Sequence, residues 1–118
     1  MNRRSVLVFS SDPLAAALLG AAIELAGQAP FFPQTDESAR DALLRVRPRL
    51  AIIDCDHGEA CSDTFIGPAL MTGSRVLLLR SRRTQRDARE LAQRLGLPVV
   101  DMSSGLEALT RMLRELTT

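Results

Sequence analysis

Three short runs constrain this chain more than any other feature: Ser5–Phe9 (SVLVF), Leu50–Ile53 (LAII) and Val76–Leu79 (VLLL). Each is too short for an independent helix and carries almost no polar residue. None shows the apolar–polar alternation of a strand with one wet face. Runs of this kind form strands buried on both faces, and a sheet buried on both faces needs a helical layer on each side. The intervening segments must therefore supply helices.

Their punctuation agrees. Asp12-Pro13 reads as an N-cap with proline in the first turn, opening a helix through Leu14, Leu18, Ala22 and Leu25 toward Gly27. Phe31-Phe32 predicts a short second strand, restricted to a sheet edge by Pro30 and Pro33. Asp36 starts a second helix with Ala39, Leu43, Leu44 and Val46 inward, ending before Pro48. A weaker helix runs through Phe65, Leu70 and Met71, disturbed by Gly67-Pro68. Thr84–Leu95 is strongly amphipathic and stops at Gly96, and Pro98–Val100 predicts a fifth strand. Ser104 to Glu107 has capping-box spacing ahead of a stripe of Leu106, Leu109, Met112, Leu113 and Leu116.

Strict alternation of five strands and five helices implies a parallel sheet with right-handed crossovers. Within 118 residues, the expected architecture is one domain over residues 1–118. It is a three-layer αβα, flavodoxin-like fold with strand order 2-1-3-4-5. Ligands in such folds bind beyond the carboxyl ends of the strands, where the order reverses between strands 1 and 3. That places Ser10, Ser11 and Asp12, the stretch from Asp54 to Asp56, Arg80 with Ser81, and Met102 with Ser103 around one candidate pocket.

Composition narrows the function. Apolar content of 46%, charge of 25% and a net charge of +1 are those of an ordinary globular domain with no overall pull toward nucleic acid or anionic membrane. All fifteen basic residues are Arg, which excludes any mechanism built on a lysine ammonium. Trp and Tyr are absent, removing the usual base-stacking surfaces. The longest apolar stretch, Pro13–Leu25, is broken by Gly20 and Glu24 and is short of a membrane span. No leader-like segment follows Arg3 and Arg4, so a cytoplasmic protein is expected, with Cys55 and Cys61 as free thiols.

VLVFSSDP at positions 6–13 and PRLAIID at 48–54 resemble the first-strand and third-strand motifs of bacterial response-regulator receiver domains. The resemblance extends over the segment lengths of the whole chain. It implies a signalling module of a two-component phosphorelay or related pathway, and it puts Asp54 at the phosphoacceptor position. It also implies an acidic pair for magnesium at Ser10 and Ser11, a hydroxyl at Arg80 and a lysine near Met102-Ser103. Ser10 and Ser11 are neutral, Asp12 stands one place late, Ser81 is one place beyond the hydroxyl position, and no lysine exists. Magnesium needs carboxylate oxygens, and phosphoryl transfer needs charge neutralisation. The chain therefore reads as a pseudo-receiver, non-enzymatic and without a cofactor, acting through a protein partner.

Two alternatives stand beside that reading. In one, Asp54 is phosphorylated and Asp12, Asp54 and Arg80 suffice, with magnesium held by the two carboxylates. In the other, the loop with Cys55, His57 and Cys61 serves a metal- or thiol-dependent function, although its spacing matches no zinc pattern.

The charge is unevenly spread. Arg75 to Arg94 carry seven Arg against two acids, +5, while residues 1–74 carry −3 and 95–118 carry −1. A cationic patch including Arg82, Arg83, Arg86 and Arg89 suits an acidic protein partner, or a homodimer through the helix 4–strand 5–helix 5 face that receivers use for docking. The bland counterpart is a solvated helix face with pairs such as Arg86–Glu90. No helix-turn-helix pair supports direct nucleic-acid binding.

Overall fold

A computed structural model of the protein describes residues 4–54, 62–80, 88–101 and 104–117. In chain order the elements are β1 (Ser5–Phe9), α1 (Pro13–Leu25), β2 (Ala29–Phe31), α2 (Ala39–Val46) and β3 (Leu50–Asp54). They continue with α3 (Asp63–Met71), β4 (Arg75–Arg80), α4 (Ala88–Leu95), β5 (Val99–Asp101) and α5 (Gly105–Leu116). The five strands form one all-parallel sheet in the order β2-β1-β3-β4-β5. The fold is flavodoxin-like, as the alternation of runs implies. No helix among the described residues is long and apolar enough to cross a membrane.

The three apolar runs occupy the sheet centre, and every residue of β1 and β3 is buried. Alternate side chains divide between two cores. Leu7, Phe9, Ala51, Ile53 and Leu78 pack with α2 and α3 on one face. Val6, Val8, Leu50, Ile52 and Leu77 pack with α1 and α5 on the other. In the first core Phe9 and Phe65 meet edge to face, with ring centroids 5.1 Å apart.

Punctuation residues act largely as their chemistry dictates. The Asp12 carboxylate accepts from the Leu14 amide, with Pro13 opening α1. Gly96 takes φ +68 after α4, allowing the Leu97 amide to reach back to the Ala92 carbonyl at 2.9 Å.

Five expectations shift. Leu44, expected on the inner face of α2, is 54% exposed, because Ala39, Ala42, Leu43 and Val46 already fill that face. The second strand is Ala29–Phe31, not Phe31-Phe32, and it contains Pro30; as the edge strand it pairs only with β1, so a missing N–H is tolerated. Ser38, not Asp36, caps α2 by accepting from the Asp41 amide; Asp36 sits earlier, at φ +65. In α1 the buried residues are Ala15, Leu19, Ala22 and Ile23, while Leu14 and Leu25 face outward. Ser104 makes no side-chain cap to α5; its backbone is already helical, whereas a capping residue is extended. The part of the fourth helix expected from Thr84 to Asp87 lies outside the described residues.

Candidate functional site

The carboxyl ends of β1 and β3 lie side by side, with Phe9 registered against Ile53. The residues that follow, Ser10 and Asp54, are thereby brought together from 44 positions apart. Asp54 closes β3 opposite Leu79 of β4 and is 1% exposed. A carboxylate this far from water must be hydrogen-bonded to be tolerated.

One of its bonds comes from Ser10, whose Oγ donates to Asp54 Oδ2 at 3.1 Å. The same Oγ accepts from the Asp12 amide at 3.2 Å. A serine hydroxyl has one proton to give, and here it is directed at the carboxylate while a lone pair takes the backbone donor. Asp12 in turn uses Oδ1 to hold the Leu14 amide at 3.0 Å, and its carbonyl accepts from Ala16 at 2.9 Å. The chain of contacts runs from the first turn of α1 through Ser10 into the buried end of β3.

The remaining positions are spread around this end of the sheet. Ser11 is exposed beside Ser10. Arg80 is the exposed last residue of β4, one step beyond the level of Asp54 and registered against Asp101 of β5. Ser81, Ser103 and Met102 lie outside the described residues, as do Asp56 and the Cys55–Cys61 loop with His57. Of the basic patch, Arg82, Arg83 and Arg86 lie outside them too; Arg89 falls in the first turn of α4, its side chain likewise outside. Among the described residues, no three His, Cys, Asp or Glu side chains are grouped to hold a metal.

Two features of the surface escape sequence reasoning. One is the bond from Ser10 to Asp54, because the motif registers Ser10 only as a missing acid. The other is a groove between α2 and α3, opened by the outward turn of Leu44. The available signal was helical spacing: with Ala39, Ala42, Leu43 and Val46 sharing the buried face, Leu44 falls on the other side of α2.

Sheet order, layering and the paired strand ends define a three-layer flavodoxin-like α/β domain with its switch point at Ser10 and Asp54. No family model matches the sequence, and no curated protein matches it either. Among solved structures the chain is similar to SdrG from Sphingomonas melonis Fr1, determined in solution, with a TM-score of 0.69. The two share 18% sequence identity over 100% of both chains, a likeness of fold.

Proposed function

We propose that this chain is a receiver-like signalling module of a two-component or related bacterial pathway, acting by protein–protein contact. In this reading Asp54 is a structural anchor and not a working phosphoacceptor. The observation that carries the reading is the hydrogen bond from Ser10 to Asp54. Where a receiver's acidic pair would bring negative charge for a metal, this chain brings a neutral hydroxyl already engaged on both sides. Asp12, the nearest acid in sequence, is committed to capping α1.

This donor set does not fit magnesium, which requires near-octahedral oxygen coordination and favours carboxylates. No lysine is present to neutralise a phosphoryl group, and Arg80 presents a planar fork with different reach from an ammonium. With the phosphoryl chemistry lost, the fold's remaining use is presentation of surface. The basic stretch with Arg82, Arg83, Arg86 and Arg89 is the proposed contact for an acidic partner or a second copy.

The test is a titration of isotope-labelled protein with magnesium and then beryllofluoride, followed by amide spectra. The reading expects Ser10, Asp12, Leu14 and Asp54 to keep their positions at millimolar ligand. Saturable shifts at Asp12 and Asp54 would overturn it and favour a phosphorylated Asp54.

A further inference from the structure

We propose that the groove between α2 and α3 is a docking site for an acidic amphipathic helix of a protein partner. The site is separate from Asp54 and stands whether or not that residue takes a phosphoryl group.

Two concavities, of about 260 and 380 Å³, share Leu43, Leu44 and Thr72 as lining residues and so form one groove. Phe65 and Pro68 of α3 supply more of its apolar wall. Leu44 is 54% exposed in the middle, and Pro68 on the facing wall is exposed as well. A helix pair that leaves such residues in water has room for a third helix.

The rim identifies the occupant by charge. Arg40 lines one part of the groove and Arg47 the other. Arg40 and Leu44 lie one turn apart on α2, and Arg47 follows as its left-handed C-cap at φ +48, giving the chain order cation, leucine, cation along the groove. Neither arginine forms an ion pair among the described residues. Of the acids of these two helices, Asp63 is held by Arg94 at 3.1 Å, and Asp41, next to Arg40 in sequence and three residues before Leu44, lies toward the Arg45 side of α2. Arg45, on the flank with Asp41, is taken by Glu37. The groove therefore offers an apolar floor between two cations that form no ion pair among the described residues.

The matching partner is a helix with acids at i and i+7, about 10 Å apart, and apolar residues at i+3 and i+4. The acids reach Arg40 and Arg47 while the apolar pair covers Leu44 and Pro68. The Arg–Leu–Arg order gives register, and the floor gives affinity. The apolar floor favours a protein helix over a nucleic-acid backbone, which needs cations without one.

The probe is a synthetic alanine-based helical peptide with Glu at i and i+7 and Leu at i+3 and i+4, titrated into isotope-labelled protein. The expected result is saturable movement of the Leu43, Leu44 and Thr72 amides, with Ser10 and Asp54 unmoved. Arg40→Glu should weaken binding about fivefold or more, and a peptide with one Glu changed to Arg should restore it. Arg40 is exposed, so an unchanged melting temperature verifies that the variant is folded. Absence of saturable groove shifts, or a charge swap that restores nothing, overturns the proposal. So does movement of the same amides on dilution of the free protein, which would assign the groove to a second copy.

Discussion

Ser10 donates a 3.1 Å hydrogen bond to Asp54, tying the end of β1 to the buried end of β3. The bond joins a loop hydroxyl to a carboxylate with almost no access to water. Removing the donor leaves Asp54 with less compensation for its buried charge. Ser10→Ala is expected to destabilise the protein by about 1–2 kcal/mol, measured by urea unfolding with an unchanged m-value. A loss below the error of the measurement would show that the hydroxyl is not needed to anchor Asp54.

Restoring an acid tests the same contact from the other side. Ser10→Asp places a second carboxylate within hydrogen-bonding range of Asp54, where both cannot ionise cheaply. At neutral pH the variant should be less stable than the parent by about 1–3 kcal/mol. One carboxyl of the pair would then titrate above its unfolded value. The penalty falls on the doubly ionised pair, so the gap to the parent should narrow as pH is lowered. Millimolar magnesium should narrow it as well. A gap independent of pH and magnesium would contradict this description of the pocket.

A second clasp governs the β2–α2 connection. Glu37 accepts from Arg45 through both carboxylate oxygens, at 2.7 and 2.9 Å, and from the Gln34 amide at 2.9 Å. Arg45 also donates to the Phe32 carbonyl at 3.1 Å. The Arg45 hydrogen bonds, then the Gln34 amide, pull the Glu37 carboxyl from 4.5 to about 2. Because its folded value is depressed, this contribution is complete above about pH 4.5 and is lost as pH falls through about 2. Glu37→Gln should speed exchange of the Gln34 amide at pH 6 while leaving the β1 and β3 amides unchanged. Equal exchange in parent and variant would mean the clasp does not order the loop.

Phe9 and Phe65 meet edge to face on the α2–α3 side of the core. Phe9 is fully buried, so Phe9→Ala combines lost burial with a cavity, and a loss of about 3–5 kcal/mol is expected from denaturant unfolding. A cost under 1 kcal/mol would imply that α3 collapses onto the sheet without it.

Much of this fold was legible because its signals are local and mutually consistent. SVLVF, LAII and VLLL can be little other than buried strands, and these three with two shorter strands, alternating with helices, leave few topologies. Asp12-Pro13 fixed the start of α1 through cap chemistry alone. What failed did so for identifiable reasons. The α1 segment is apolar almost all round, so periodicity could not choose between Leu14 and Ala15 for its inner face. Asp36 and Ser38 are both acceptable caps, and only the backbone decides between them. At the site, sequence located Asp54 and Ser10 but read the serine as a loss. The bond between them is set by parallel pairing of β1 with β3, a relationship 44 residues long that no local pattern contains.

In the proposed reading this domain signals by contact, with Asp54 holding structure and not a phosphoryl group. Its most direct test is the intact mass of the protein after incubation with acetyl phosphate and magnesium, beside Asp54→Asn treated identically. The expected result is an unmodified mass in both. A gain of one phosphoryl group in the parent that is absent from Asp54→Asn would contradict the claim and make Asp54 a working phosphoacceptor.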